Sequence, residues 1–84
     1  MPQINIKLFA SLRRYMPEGA SNGGAPLELP EEHTVASVLE SLNVPLEQCH
    51  LVVVNGVFIP PEERGIKTLS EGDALAVWPP AAGG

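Results

Sequence analysis

The stretch LVVVNGVFI, residues 51–59, constrains the fold of this chain more than any other segment. Two apolar runs rich in β-branched residues flank Asn55-Gly56, the pair that best fits a two-residue type I′ turn. Such a turn leaves no room for a crossover, so the two runs are expected to be antiparallel neighbours in a sheet. The register that follows pairs three sets of residues across the turn: Val54 with Val57, Val53 with Phe58, and Val52 with Ile59.

Other segments predict further strands and a short helical turn. INIKLF, residues 4–9, alternates with the period of two that is typical of a half-buried strand. ASLRRYM, residues 10–16, predicts a short helical turn. LEL at 27–29 predicts a second strand that ends at Pro30, and ALAVW at 74–78 predicts the last strand.

An amphipathic helix is predicted between the second strand and the hairpin. Thr34 suits the N-cap position, where a side-chain oxygen accepts a hydrogen bond from the first turn. Asn43 is expected to end the helix in a left-handed conformation, and Pro45 cannot continue it. The apolar residues between them recur with helical spacing on one face: Val35, Val38, Leu39 and Leu42.

The order of these elements is strand, strand, helix, hairpin, strand, and the 84 residues suit one domain. A single helix covers only one face of a sheet. The sequence therefore predicts an α+β fold with one main helix packed on one face of a mixed sheet. Residues 1–78 are expected to form this domain. Residues 79–84 lack strand periodicity and are expected to form a flexible C-terminal tail.

Strand parity predicts which side chains face the helix and which do not. The expected core residues are Ile4, Ile6, Leu8, Val52, Val54, Val57, Ile59, Leu75 and Val77. The opposite parity places Phe9, Phe58 and Trp78 on the side that no helix covers. One interpretation is that loops or a shifted register hide these rings. The other is a protein–protein interaction patch, for which clustered exposed aromatic residues are typical.

Charge and cysteine content exclude several classes of protein. The net charge of −5 argues against nucleic acid as a partner, since phosphate binding needs a basic surface. Cys49 is the only cysteine, so an internal disulfide is excluded. MPQINIKLFA lacks the apolar segment of a signal peptide, and no apolar run approaches the roughly 20 residues of a membrane helix. The expected location is the cytoplasm, with no membrane partner.

The sequence offers little support for catalytic or metal chemistry. Cys49 and His50 are adjacent and His33 lies upstream, so a cysteine–histidine nucleophile pair is one interpretation. Adjacent side chains seldom reach the same atom, however, and the three residues lack zinc-site spacing. A packing or loop role is therefore expected for them, with no metal site. PPEER, residues 60–64, is expected to be a solvated loop.

The chain ends in PPAAGG. Pro79 and Pro80 favour an extended polyproline II conformation, so six residues of about 3.1–3.5 Å each span about 20 Å. Alanine and glycine are small enough to thread a narrow tunnel. Gly84 has no Cβ that would shield its carboxylate from a reactive group. The alternative interpretation is an ordinary frayed end.

In four stretches the sequence resembles the MoaD/ThiS family of ubiquitin-like β-grasp sulfur carriers: IKLFASLR, TVASVLESL, VVVNG and EGDALAVWPPAAGG. The resemblance covers essentially the whole chain, and PPAAGG looks most like the end of the small subunit of molybdopterin synthase. It implies a ubiquitin-like β-grasp fold. It also implies a sulfur carrier that is not an enzyme but a co-substrate of partner enzymes.

The resemblance implies a defined chemistry at Gly84. A ubiquitin-activating-type adenylating enzyme uses ATP and magnesium to adenylate its carboxylate, and sulfur from a persulfide then replaces AMP to leave a thiocarboxylate. The carrier itself binds no cofactor. A sulfur-accepting enzyme, such as the large subunit of molybdopterin synthase, receives the sulfur. Gly83 lets the tail fit and bend, while Pro79 and Pro80 hold it away from the domain. The resemblance also implies a partner-binding role for three residues that match hydrophobic interface positions of the family's molybdopterin-type members: Phe9, Phe58 and Trp78.

Three functions remain open at this point. The first is a sulfur carrier, which serves molybdopterin synthesis, thiazole and thiamine synthesis or tRNA thiolation. Alternatively, the chain is a ubiquitin-like modifier joined through Gly84 to lysines of target proteins, or a plain interaction module that uses the aromatic face alone. The mass of the protein from its native cell separates these, because a thiocarboxylate adds about 16 Da and a modifier forms larger conjugates.

Overall fold

The computed structural model describes residues 3–16, 24–29 and 33–80. Within these ranges the strands are β1 (Gln3–Leu8), β2 (Ala25–Glu28), β3 (His33–Thr34), β4 (Leu51–Val54), β5 (Val57–Phe58), β6 (Thr68–Leu69) and β7 (Ala74–Trp78). The α-helix is α1 (Val35–Ser41). Short 3-10 helices span Ala10–Tyr15, Leu46–Gln48 and Pro61–Glu63.

Five strands form one mixed sheet in the order β2-β1-β7-β4-β5. β1 and β7 are parallel, and the other neighbours are antiparallel. The predicted α+β fold, a mixed sheet with one main helix, is confirmed. β3 and β6 pair separately, as two residues each. This pair is not predicted by the sequence, because two residues are too few to show a period of two.

The hairpin has the turn that Asn55-Gly56 predicts. Their φ angles are 52° and 83°, and a type I′ turn requires positive φ at both central positions. The register pairs Val53 with Phe58 and Val54 with Val57, as predicted.

Helix α1 begins and ends as its sequence predicts. The Thr34 side chain accepts a hydrogen bond from the Ser37 backbone N–H at 3.1 Å, which satisfies one donor of the first turn. Asn43 has φ 65°, the left-handed conformation expected beyond the helix. The Val44 N–H then donates to the Leu39 carbonyl at 3.0 Å.

The core lies between α1 and one face of the sheet. Val35, Val38 and Leu39 are the buried residues of α1, and Leu42 packs against the core while partly buried. The predicted helix-facing residues of the three central strands are all buried in the same cluster: Ile4, Ile6, Leu8, Val52, Val54, Leu75 and Val77. Ile59 is buried too, as predicted.

Val57 was expected in the core, and this prediction is wrong, because 62% of its surface is exposed. β5 is the outermost strand and is only two residues long. Val57 follows the turn directly, so β4 flanks it on one side, and among the described residues no further strand of the sheet lies on the other. Strand parity determines the face on which a side chain lies, but the side chain is buried only if another part of the chain packs over it.

A hydrogen-bonded turn joins the hairpin to the start of β7. The Asn55 amide donates to the Asp73 carboxylate at 2.9 Å, and the Ala74 N–H donates to Asn55 Oδ1 at 2.9 Å. The Ser70 N–H donates to the other Asp73 oxygen at 2.8 Å. The Ser70 N–H, followed by the Asn55 amide, lowers the pKa of Asp73 below its usual value because both donors favour the ionised carboxylate.

Asp73→Asn is expected to lower the free energy of unfolding at pH 7 by about 1 kcal/mol, a usual net value for a hydrogen bond. The folded pKa of Asp73 lies below its unfolded value of about 3.9. Its contribution is therefore complete above pH 4 and is lost as the pH falls through the lower, folded pKa. Urea titrations from pH 7 to pH 2 should show a smaller acid-induced loss in Asp73→Asn than in the wild type. Glu62→Gln, which changes an exposed carboxylate elsewhere, is the matched control; identical acid slopes for the wild type and Asp73→Asn would contradict the prediction.

Candidate functional site: the open face of the sheet and the root of the tail

The sheet face opposite α1 carries a continuous set of side chains, here called the open face. The register aligns Lys7 with Ala76, Ala76 with Val53, and Val53 with Phe58, across four strands. The neighbouring row aligns Leu51 with Trp78. We define the open face by these side chains together with Phe9: Lys7, Phe9, Leu51, Val53, Phe58, Ala76 and Trp78.

Phe9 and Trp78 stack on each other at one end of this face. Their ring centroids are 4.2 Å apart and the rings are within 3° of parallel. The parallel register of β1 and β7 brings them together, because Leu8 pairs with Val77 and the next residues along each strand are Phe9 and Trp78. The Phe9 N–H donates to the Val77 carbonyl at 3.1 Å, which extends the ladder to Phe9. The Lys7 ammonium lies 5.1 Å from the Phe9 ring centroid, within cation–π range.

Ala10 has an unusual backbone conformation directly beside this stack. Its φ is 51°, a left-handed value that costs a residue with a Cβ about 1–2 kcal/mol. Here the chain turns sharply from β1 into the 3-10 helix Ala10–Tyr15, whose Leu12 is buried in the core. The burial of Leu12 holds the turn, and the turn leaves Phe9 against Trp78. Strained residues of this kind concentrate at functional sites.

The structure therefore places the three predicted aromatic residues on one face and brings two of them into contact. Phe58 is 51% exposed, and Phe9 and Trp78 are each half-buried. The prediction that these rings avoid the core is confirmed. Leu51, which was not among the predicted interface residues, is 36% exposed and paired with Trp78. The signal was available, because Leu51 has the same strand parity as Val53.

The tail leaves the domain beside the stacked rings. β7 ends at Trp78, and Pro79 and Pro80 lie beyond it, outside any strand. The Trp78 carbonyl accepts a hydrogen bond from the His50 N–H at 2.9 Å. Gly83 and Gly84 lie outside the described residues, so the roles predicted for them stay predictions.

The three residues considered for nucleophilic or metal chemistry have separate structural surroundings. Cys49 is buried, its thiol donates weakly to the Pro45 carbonyl at 3.5 Å, and burial raises the pKa of the thiol. His50 is exposed, and His33 Nδ1 lies 3.2 Å from the Ser37 hydroxyl at the start of α1. Among the described residues, no group of three or more His, Cys, Asp or Glu side chains is placed to hold a metal ion.

Cys49→Ser is expected to leave sulfur carriage intact, since a buried thiol with a raised pKa is a poor nucleophile. The expected cost is a modest loss of stability, because a hydroxyl replaces an apolar thiol in the core. Mass spectrometry after incubation with an activating system should show the same modification in both proteins. A folded Cys49→Ser protein that fails to acquire sulfur would contradict this expectation.

The solvated loop expected for PPEER is wrong at Arg64, which is buried. Its guanidinium donates to the carbonyls of Cys49, His50 and Ile59 at 2.6, 3.2 and 3.2 Å. Composition alone cannot show this, because the acceptors are backbone carbonyls, two of which lie 14 and 15 residues away in the sequence. Glu62 and Glu63 are exposed, as a solvated loop requires.

The sequence profile of the ThiS family matches residues 6–84, which is almost the whole chain and includes the open face and the tail. The chain belongs to the ThiS family. The MoaD/ThiS resemblance seen in the sequence is thereby confirmed. A comparison with curated protein sequences gave no significant match.

Solved structures share the fold of this ThiS family member. The solution structure of the Haloferax volcanii HVO 2177 protein is 27% identical with a TM-score of 0.70, covering 99% of this chain and 87% of that one. A Pyrococcus furiosus protein assigned as molybdopterin converting factor subunit 1 is 22% identical with a TM-score of 0.65, covering 96% and 100%. The thiamine biosynthesis protein ThiS of Geobacter metallireducens is 23% identical with a TM-score of 0.62, covering 95% and 99%. The fold is thus the ubiquitin-like β-grasp.

Membership of the ThiS family makes the chain a ubiquitin-like sulfur carrier. Members of the ThiS/MoaD family are small, generally non-catalytic proteins that work with adenylating and sulfur-accepting enzymes. The described part of the chain contains no helix with the length and hydrophobicity needed to span a membrane.

Proposed function

We propose that this chain carries sulfur as a thiocarboxylate on Gly84 and donates it in the synthesis of molybdopterin. The observation that carries the proposal is the family match, which continues past the end of β7 to residue 84. The sequence beyond β7 is PPAAGG, a short arm of small residues that ends in glycine. If fully extended, six residues of this kind would span about 20 Å, which is long enough to carry the Gly84 carboxylate into a partner's site.

The chemistry proceeds in steps that partner enzymes catalyse. The Gly84 carboxylate attacks the α-phosphate of ATP, which releases pyrophosphate and leaves an acyl-adenylate. A persulfide of the partner attacks the acyl carbon and displaces AMP, which gives an acyl disulfide. A thiolate of the partner then attacks the sulfur on the partner's side, so that a protein disulfide forms and the thiocarboxylate is released. In this proposal the chain supplies only the carboxylate. The adenylating enzyme holds ATP and magnesium, and the whole cycle takes place in the cytoplasm.

The open face is the surface that we propose for partner docking. Phe58 and Leu51 are exposed on it, and the stacked pair Phe9 and Trp78 lies where the tail begins. Aromatic side chains of this kind are common anchors at the centre of interfaces. Docking there places Pro79 and Pro80 at the entrance of the partner's site, with Gly83 and Gly84 inside it.

The choice of molybdopterin as the pathway rests on the tail. PPAAGG resembles the end of the small subunit of molybdopterin synthase, and the P. furiosus structure assigned as molybdopterin converting factor subunit 1 shares the fold. Thiamine synthesis is the second candidate, because the G. metallireducens thiamine biosynthesis protein shares the fold equally well. The acceptor is then the large subunit of molybdopterin synthase or the corresponding thiazole-forming enzyme.

The proposal is tested by the mass of the chain and by the phenotype of a deletion strain. Protein purified from its native cell should include a species about 16 Da heavier than the unmodified chain. Cells lacking the chain should lose activity of molybdopterin-dependent enzymes and should grow without added thiamine. A thiamine requirement with normal molybdopterin would establish the second candidate. Conjugates of higher mass without the thiocarboxylate would contradict sulfur carriage as the function.

A further inference from the structure

Arg64 is the one charged side chain that is buried among the residues the structure describes, with 8% of its surface exposed. Its guanidinium donates three hydrogen bonds, to Ile59 O from Nε, and to Cys49 O and His50 O from the two terminal nitrogens. All three acceptors are backbone carbonyls. No buried side-chain nitrogen or oxygen in the described part of the chain lacks a partner. The planar fork of arginine suits this role, because its donors point in several fixed directions at once.

The backbone of His50 connects Arg64 to the start of the tail. The His50 carbonyl accepts from Arg64 at 3.2 Å, and the His50 N–H donates to the Trp78 carbonyl at 2.9 Å. Trp78 is the last residue of β7 before the prolines. The guanidinium is therefore two hydrogen bonds from the carbonyl at which the tail leaves the sheet.

Arg64 also links this corner to the helix. The Arg64 carbonyl accepts a hydrogen bond from the Ala36 N–H at 2.9 Å, in the first turn of α1. Arg64 is thus hydrogen-bonded to three parts of the fold: the first turn of α1, the segment just before β4, and Ile59 just after β5. A side chain without hydrogen-bond donors at position 64 would leave three buried or half-buried carbonyls short of a donor, which is costly away from water.

We infer that Arg64 is a positioning residue that holds His50 in place and, through it, the direction in which the tail leaves β7. The inference rests on the proposed function for its consequence, because the direction of the tail matters when Gly84 must reach a partner's site. Arg64 is buried and is not one of the open-face side chains, so the docking residues are different side chains. Its loss should therefore affect the delivery of Gly84 more than the binding of the domain.

The test compares Arg64→Met and Arg64→Lys with the control Val38→Ala. Val38 lies in α1 with 1% of its surface exposed, so this control removes volume from the core without touching Arg64. Amide hydrogen exchange by NMR reports the His50 N–H directly. In Arg64→Met this amide should exchange at least about tenfold faster relative to the amides of β1 than in the wild type. Arg64→Lys keeps one donor and should show an intermediate rate. Val38→Ala should leave the ratio unchanged.

Trp78 is the only tryptophan, so its fluorescence gives a second readout at the start of the tail. Its emission should change in Arg64→Met and not in Val38→Ala, at a temperature where both are folded. If the folded wild type, Arg64→Met and Val38→Ala have the same His50 exchange ratio and the same Trp78 emission, the inference is overturned. If Arg64→Met does not fold, the same comparison with Arg64→Lys decides.

The functional consequence is measured with an adenylating partner at that same temperature. In Arg64→Met the kcat for thiocarboxylate formation should fall about tenfold while KM stays near the wild-type value, because the substitution removes no side chain of the open face. A KM change alone would contradict the positioning role in activation. Failure of the wild type itself to be activated would contradict the proposed function instead, and the exchange ratio would then decide the role of Arg64 alone.

Discussion

Removal of Gly83 and Gly84 is expected to abolish thiocarboxylate formation and leave the domain folded. In the proposed chemistry the reacting carbon is the terminal carboxyl carbon of Gly84, and the shortened chain presents its carboxylate on Ala82, two residues short. Near-attack geometry needs reacting atoms about 3–3.5 Å apart, whereas two residues of extended chain correspond to about 6–7 Å.

The fold should survive the deletion, because every buried core residue among the described ones lies between Ile4 and Val77. Changes away from the core usually alter stability by less than about 0.5 kcal/mol, so the melting temperatures should agree within about two degrees. Thermal melts and mass spectrometry after incubation with the activating system are the measurements. A chain with one alanine appended after Gly84 is the matched control. It keeps both glycines and moves only the carboxylate, and it too should fail to be activated.

Two outcomes would contradict this expectation. A large fall in melting temperature would mean that the glycines belong to the folded domain. Full activation of the chain with the appended alanine would mean that the carboxylate position is not what the partner selects, and the assignment of Gly84 as the sulfur-bearing residue would then be wrong.

Trp78→Ala is expected to weaken binding to the adenylating or the sulfur-accepting partner by about thirtyfold, or about 2 kcal/mol, as is typical when a central aromatic anchor is truncated. The structural reason is its position, stacked on Phe9 and paired with Leu51 where the tail begins. Phe58→Ala and Phe9→Ala should have smaller effects in the same direction. Isothermal titration calorimetry with each partner measures the change.

Stability measurements separate docking from packing in the same variant. Loss of a fully buried aromatic residue costs about 3–5 kcal/mol, but Trp78 is half-buried and outside the core cluster. We expect a smaller loss, to which the stack with Phe9 contributes about 0.5–1.5 kcal/mol. Trp78→Phe, which keeps an aromatic ring against Phe9, should retain much of the partner affinity and much of the stability that Trp78→Ala loses. Ile66→Ala is the control, because Ile66 is 74% exposed but lies in the loop after β5, outside the open face. If folded Trp78→Ala binds both partners with normal affinity, Trp78 contributes only to packing and the docking prediction is wrong.

Several features of this protein follow from its sequence alone, because they depend on residues close together in the chain. The Asn55-Gly56 turn and the register of the hairpin are set by the positive φ that these two residues tolerate. Thr34 caps α1 through a hydrogen bond with Ser37, which is only three residues away in the sequence. Strand alternation separated the buried residues of β1, β4 and β7 from the aromatic ones, since successive side chains point to opposite faces.

Features that need contacts between distant residues were decided only by the tertiary structure. The parallel pairing of β1 with β7 brings Phe9 onto Trp78 across nearly the whole length of the chain, and no local pattern specifies which strands become neighbours. Val57 is exposed because β5 lies at the edge, although its parity is that of a core residue. Arg64 sits in a charged, proline-rich segment that favours a loop, yet it is buried. Its three acceptors are backbone carbonyls, which every sequence contains and which only the folded chain brings within reach of one guanidinium.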